Sequence, residues 1–99
     1  MVTTVSHVRL KDGAGPAWDQ AMRERLDAVR TSPGWVAGQV LEPVDGSNLR
    51  VIVGTWRSRE DWERWHGDPA FRSTRERLDQ MEDGPREQWW HDVTVAAER

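Results

Sequence analysis

The chain has 99 residues, the length of one domain, and we expect a single domain over residues 1–99. Its 14 basic and 17 acidic residues give a net charge of −3 and are interspersed, without the basic block that is typical of nucleic-acid binding. There is no cysteine, which excludes disulfides, thiolate nucleophiles and cysteine-ligated metals.

The first half of the chain predicts a strand, a helix and a hairpin. A half-buried strand is expected over Val2–Leu10, and Pro16 suits the first turn of the helix that follows. Apolar residues then recur every three or four positions, as on one side of a helix: Trp18, Met22, Leu26 and Val29. The hairpin strands are Trp35–Leu41 and Leu49–Trp56, and the second is almost continuously apolar, which is typical of a central strand.

The second half predicts an interrupted helix and a last strand. Ser58 and Asp61 resemble a capping box that opens a helix. This helix is interrupted at Gly67, and the following Asp-Pro pair at 68–69 is typical of a new helix start. The last predicted strand is Trp89–Ala97.

The element order βαββαβ predicts an α+β fold of the ferredoxin-like type. In this fold a four-stranded antiparallel sheet carries both helices on one face, and the first and last strands are neighbours. Apolar residues on both sides of the third and fourth strands indicate that the other face is covered too. We therefore expect a homodimer in which two sheets pair across a two-fold axis.

Three segments follow one another in a characteristic order: GWVAGQVLEP (34–43), VIVGTWRSREDWERW (51–65) and DPAFRS (68–73). They contain Pro-Gly-aromatic before a hairpin, Thr-Trp-x-Ser after it, a second Trp nine residues later, and Pro shortly before Phe. This order resembles the antibiotic biosynthesis monooxygenase family, the dimeric α+β barrels, and the resemblance covers nearly the whole chain.

The resemblance implies one of several activities. Some members of the family oxidise anthrones or quinols with O₂ and no cofactor, some bind and degrade heme, and others have no known activity. The heme-degrading branch uses an Asn, a Trp and a heme-ligating His, which correspond by position to Ser6, Trp65 and either Thr74 or Arg75. Neither Thr nor Arg is a normal ligand of heme iron, so we expect no cofactor. The cofactor-free members also use a Tyr, which this chain lacks.

Seven tryptophans in one small domain suit either a core or a pocket for a planar aromatic ligand. Trp65 either lines a pocket between the second helix and the sheet or is a core residue of that helix. Trp62 lies on the same helix face, so one of the two can pack while the other contacts a ligand. We expect Phe71 and Val8 to contact the ligand with them.

Three polar residues are candidates for handling protons or charge. His66 is a candidate general base because a histidine pKa lies near neutrality, or it only ends the helix. Ser6 offers a hydroxyl from the first strand. Arg75 either binds an anionic or phenolate group or pairs with Asp79 four residues on. We expect catalytic roles for Trp65, His66 and Ser6, and substrate-binding roles for Trp62, Phe71, Arg75 and Val8.

Taken together, these features predict a cofactor-independent monooxygenase that oxidises a planar anthrone, phenol or quinol with O₂. The alternatives are a heme-degrading enzyme, a non-catalytic dimer that binds an aromatic metabolite, and a small cyclase or isomerase that acts on a polyketide. No metal site is expected, although His7 and His91 could come close because the first and last strands are expected to be neighbours. Without a signal-like or membrane-length apolar segment, we expect a cytoplasmic protein with no membrane or nucleic-acid partner.

Overall fold

The structure is a computed structural model that describes all residues, Met1–Arg99. Seven elements follow one another along the chain: β1 (Val2–Arg9), α1 (Gly15–Val29), β2 (Trp35–Leu41), β3 (Leu49–Trp56), α2 (Arg59–His66), α3 (Pro69–Met81) and β4 (Glu87–Asp92). The predicted βαββαβ order is confirmed, with the second helical segment divided into α2 and α3.

The four strands form one antiparallel sheet in the order β2-β3-β1-β4. The first and last strands are therefore neighbours, and the ferredoxin-like α+β fold is confirmed. Alternate residues of the central strands, including Thr4, Ser6 and Val8 of β1, are buried beneath the helices. The helices pack on this inner face only. A pocket formed by both layers therefore lies between the inner face of the sheet and the helices.

The division between α2 and α3 follows from two helix starts in close succession. The Ser58 hydroxyl accepts a hydrogen bond from the Asp61 amide at 3.2 Å. The same hydroxyl donates to the Asp61 carboxylate, which in a capping box would instead accept from the Ser58 amide. The Asp68 carboxylate accepts from the Ala70 amide at 2.8 Å. Because the chain turns between these starts, the side chain of Phe71 comes back against that of His66.

The last strand is shorter than predicted. It covers Glu87–Asp92 rather than Trp89–Ala97, since Asp92 pairs with Val2 and β1 has no residue left to extend the ladder. The amide of Val93 donates to the carbonyl of Met1 at 3.0 Å, and the residues beyond form no strand. The alternation of side chains in the sequence predicted a longer strand, but β4 pairs only as far as β1 extends.

Two buried clusters lie between the sheet and the helices. An aliphatic cluster with one tryptophan fills one end and contains Val8, Leu10, Trp18, Ala21, Met22 and Leu78. A mainly aromatic cluster fills the other end, beneath α2 and the start of α3, and contains Val29, Trp56, Trp65 and Phe71. The second cluster is the part of the core in which a flat ligand would find aromatic walls.

The outer face of the sheet is not covered by any element of the chain. Register places a row of apolar side chains there, with Val5 between Val53 and Trp89 on the neighbouring strands. Trp89 is 48% exposed, and Leu41 and Leu49 on the same face are exposed to a similar extent. No helix of the protein is both long and apolar enough to cross a membrane.

Candidate functional site

A cavity of about 80 Å³ lies within the aromatic end of the core, and all four residues of the mainly aromatic cluster line it. Five of the predicted site residues are also among its lining: Ser6, Trp62, Trp65, His66 and Phe71. A larger depression of about 520 Å³ shares part of this lining and adds Arg75 from α3. The structure therefore brings together six of the seven predicted residues.

Trp65 is both a core residue and a cavity residue. It is only 5% exposed, and its ring meets that of Phe71 edge to face, with centroids 5.8 Å apart. The spacing of three residues on α2 places Trp62 on the same side, where it is half-buried and lines the cavity too. Trp62 also packs edge to face on Trp90 of β4 at 4.6 Å.

His66 is held between aromatic rings at the end of α2. Its imidazole lies 3.7 Å from the Trp62 ring centroid and 4.1 Å from that of Phe71. Nδ1 lies 2.8 Å from the carbonyl oxygen of Trp62, which can only accept, so Nδ1 carries the proton. In the neutral imidazole Nε2 then keeps its lone pair, which is the arrangement that a general base needs.

The surroundings of His66 favour its neutral form. Burial is the main cause that lowers the pKa of the imidazole, and it outweighs the hydrogen bond to the Trp62 carbonyl, which acts in the opposite direction. The positive charges of Arg25, Arg75 and Arg86 lower the pKa further. At neutral pH the side chain is therefore ready to accept a proton.

The two candidates on β1 lie in different surroundings. Ser6 is buried, and its hydroxyl accepts a hydrogen bond from the Gln88 amide of β4 at 3.0 Å, at the wall of the cavity. Val8 lies two residues further along the strand and packs in the aliphatic cluster with Trp18. Val8 does not line the cavity, because β1 passes out of the aromatic end of the core between the two positions.

Arg75 lies at the edge of the larger depression rather than in the cavity. Its guanidinium pairs with Asp79 at 3.3 Å, and both side chains are more than half exposed. The guanidinium carbon is also 5.7 Å from the Phe71 ring centroid. The ion pair expected from the spacing of four residues and the position near the aromatic site are therefore both present.

Sequence reasoning missed Arg25, which lines the cavity from α1 and is 6% exposed. Nε donates to the Thr74 hydroxyl at 2.8 Å, Nη2 donates to the Phe71 carbonyl at 3.2 Å, and the guanidinium stacks on the Phe71 ring at 4.1 Å. Burial, with help from Arg86 and then Arg75, lowers its pKa to about 10. Its position three residues after Met22, within the apolar stripe of α1, was the signal that could have found it.

A second missed group joins the end of α3 to the site. Glu82 is buried and accepts hydrogen bonds from Arg86 at 2.7 and 2.6 Å and from the Trp18 indole at 3.0 Å. Burial alone would raise the pKa of Glu82, but the hydrogen bonds from Arg86 and Trp18 outweigh it and lower the pKa. Glu82 thus holds Arg86 at the border of the cavity.

The histidines of the first and last strands do not converge. His7 pairs with Glu87 and His91 pairs with Thr3, so four residues, about 13 Å, separate them along the sheet. His7 instead packs edge to face on Trp89 at 5.1 Å. The register of β1 and β4 keeps the two rings on the same face but at different levels.

The amino-acid sequence matches a known protein family. The family model described as antibiotic biosynthesis monooxygenase matches residues 1–77. A heme oxygenase (mycobilin-producing) of Mycobacterium tuberculosis strain CDC 1551 / Oshkosh is 33% identical over 70 residues, which cover 71% of this chain and 67% of the relative.

Two solved structures show the same fold. SnoaB from Streptomyces nogalater, a cofactor-independent oxygenase, superposes with a TM-score of 0.86 at 18% identity, over 99% of this chain and 97% of its own. A variant of MhuD with two manganese protoporphyrin IX molecules per active site gives a TM-score of 0.81 at 25% identity, over the full length of both chains. From the family match and the mycobacterial relative, this chain belongs to the antibiotic biosynthesis monooxygenase family.

Proposed function

We propose that the protein is a cofactor-independent monooxygenase that oxidises a planar anthrone, phenol or quinol with O₂. The observation that carries this proposal is the neutral imidazole of His66, which lies between the rings of Trp62 and Phe71 at an aromatic cavity. The fold that the chain shares with a cofactor-independent oxygenase supports it.

The residues of the cavity supply binding and proton transfer. Trp65 and Trp62 hold the ring of the substrate, and for an anthrone Nε2 of His66 removes a proton from the activated CH₂ group. The carbanion gives one electron to O₂, and the two radicals combine into a hydroperoxide that takes the proton back. Loss of water leaves a ketone, so CH₂ and O₂ become C=O and H₂O. The protein contributes orientation, a base and a site shielded from water.

The test is turnover of dithranol by metal-free protein in the presence and absence of O₂. We expect oxygen-dependent formation of the quinone above the rate without protein, and a fall of about a hundredfold for His66→Ala, the usual contribution of a general base. His91→Ala, on the outer face of the sheet and not part of the cavity lining, is the matched control. Binding that quenches tryptophan fluorescence without any oxygen-dependent product would instead identify the non-catalytic aromatic-binding dimer.

Heme oxygenation is the second candidate, because the relative from Mycobacterium tuberculosis carries that description. The residues present do not fit heme. The hydroxyl of Thr74 is buried and bonded to Arg25 and the Phe71 carbonyl, and Arg75 is a cation paired with Asp79.

Hemin titration separates this candidate from the first. We expect no Soret band that survives gel filtration. A stable band would favour heme binding, and its loss in His66→Ala would assign the iron ligand to the one histidine that lines the cavity.

We also propose that two copies pair through the outer faces of their sheets. The support is the uncovered apolar row that contains Val5, Val53 and Trp89. Burying this row would remove apolar area from water and close the two sheets into a barrel.

A further inference from the structure

The charges around the cavity do not balance. The cavity and the larger depression beside it are lined by three guanidinium groups, those of Arg25, Arg75 and Arg86, and by two carboxylates, those of Asp79 and Glu82. Arg75 is paired with Asp79, and Arg86 is paired with Glu82. One positive charge is left over, and it belongs to Arg25, the most deeply buried of the three cations.

The bonds of Arg25 satisfy only part of its guanidinium. Nε and Nη2 donate to neutral oxygens of Thr74 and Phe71, and neither partner carries a charge. Nη1 has no hydrogen-bond partner in the protein and is not fully buried, and the side chain lines the cavity, so this nitrogen is free to meet a ligand. Stacking on the Phe71 ring compensates part of the desolvation but places no negative charge beside the cation.

A buried cation without a counter-ion is costly, since the loss of hydration is not repaid by an opposite charge. A hydrophobic side chain of similar length would fill the same space at this position of the apolar stripe. The arrangement therefore indicates a negative group that arrives with the ligand.

We propose that the cavity takes a planar aromatic ligand bearing an oxyanion, either a carboxylate or an ionised phenol or enol, and that Nη1 of Arg25 is its counter-ion. The inference rests on the proposed function for the aromatic nature of the ligand, and it adds the charge that the ligand carries. Arg86 stays bonded to Glu82 and does not compete for the anion. Arg25 is thus a specificity-determining residue that contacts the ligand directly.

The first experiment compares two probes of the same shape, 2-naphthoate and 2-naphthamide, by calorimetric titration of the whole protein without O₂. A charge-assisted hydrogen bond predicts that naphthoate binds about ten- to a hundredfold more tightly. Equal affinities would overturn the proposal. Arg25→Gln is expected to abolish the preference, whereas Arg23→Gln, exposed on the same helix, is expected to keep it.

A measurement on the unaltered protein covers the case in which Arg25→Gln does not fold. The ¹⁵N guanidinium signals of Arg25 are expected to shift when naphthoate is added and to stay in place with naphthamide. A naphthoate complex in which these signals do not move would contradict a direct contact.

A third probe, 2-naphthol, distinguishes the two sources of the oxyanion. If the ligand is an ionised phenol or enol, naphthol bound at neutral pH shows the red-shifted absorption of its anion, and the shift is lost in Arg25→Gln. If the ligand is a carboxylate, bound naphthol stays neutral while naphthoate keeps its preference. Equal binding of naphthoate and naphthamide overturns the proposal whether or not bound naphthol ionises.

These results are independent of turnover. A preference for the anionic probe without oxygen-dependent chemistry would leave this inference standing and remove the monooxygenase. Oxidation of dithranol by a protein with no preference between naphthoate and naphthamide would support the monooxygenase and contradict this inference.

Discussion

At the scale of single residues, the site combines one base with several cations. The imidazole of His66 is neutral because it is buried and because the positive charges of Arg25, Arg75 and Arg86 disfavour its protonation, and these causes outweigh the opposing hydrogen bond from Nδ1 to a carbonyl. Each of these causes acts on the same proton equilibrium. The pH dependence of the reaction should therefore report the surroundings of this side chain.

We expect the rate of dithranol oxidation to be constant above the pKa of His66 and to fall as pH decreases through it. Because that pKa is lowered in the folded protein, the acid limb should lie below the ordinary histidine value of about 6.5. Arg75→Gln removes one of the cations, so the limb should move to higher pH. The measurement is kcat/KM against pH, and Arg72→Gln, an exposed cation of the same helix, should leave the limb in place.

Glu82 gives a residue-scale prediction for stability. Its pKa is lowered on folding, so its contribution is complete above the unfolded value and is lost as pH falls through the folded value. Glu82→Ala should lower the free energy of unfolding at neutral pH by about 2–4 kcal/mol, because Trp18 and Arg86 lose their acceptor.

The check on Glu82 is urea denaturation at neutral and acid pH. The difference between Glu82→Ala and the unaltered protein should shrink as pH falls. Glu76→Ala removes an exposed carboxylate from α3 and should have little effect at either pH. A difference that is the same at both pH values would contradict the proposed role of the ionised carboxylate.

At the scale of elements, the short helix α2 carries three of the candidate residues, and its start is held by one hydroxyl. Ser58 accepts from the Asp61 amide, and this bond sets where the helix begins and hence which side of it meets the sheet. Trp62, Trp65 and His66 all lie within the two turns that follow. The stability of this one cap therefore bears on the whole aromatic side of the cavity.

Ser58→Ala should lower the free energy of unfolding by about 1 kcal/mol, the usual value of an N-cap. Thermal denaturation is the measurement. Ser73→Ala, an exposed serine within α3 whose hydroxyl bonds only to the preceding turn, is the control and should be neutral or slightly stabilising. Loss of the same stability in both variants would mean that the cap is not the cause.

The elements also show what a sequence can and cannot predict here. Alternation, caps and breakers predicted six of the element positions closely, because each depends on neighbouring residues. The end of β4 was wrong because it depends on where β1 begins. Arg25 was missed as a site residue because its role depends on Thr74 and Phe71, about fifty positions away. Local patterns could place Trp65 and His66 on one helix, whereas the charges opposite them required the fold.

At the scale of the whole molecule, the sheet has one covered face and one bare face. The bare face carries Val53 at its centre, next to Val5 and opposite Gln39 on the other neighbouring strand. A small domain with this much apolar surface gains stability when a second copy covers it.

Val53→Lys should convert the proposed dimer into a monomer, because a lysine from each copy would be buried against an apolar row. Light scattering after gel filtration gives the mass directly. Val44→Lys, in the exposed loop between β2 and β3, should leave the mass unchanged. A monomeric unaltered protein would contradict the pairing itself.

The bonds from Arg25 to Thr74 and Phe71 also tie α1 to α3 across the roof of the cavity. A ligand larger than the cavity can enter only if α1 and α3 move apart. The hydrogen bonds of the Arg25 guanidinium are among those that must then break. An oxyanion on the ligand can take over the released N–H groups, so opening costs less for such a ligand than for a neutral one. Arg25 would then control both the entry of the ligand and its binding. The preference for an anionic ligand would appear in the association rate constant as well as in the affinity.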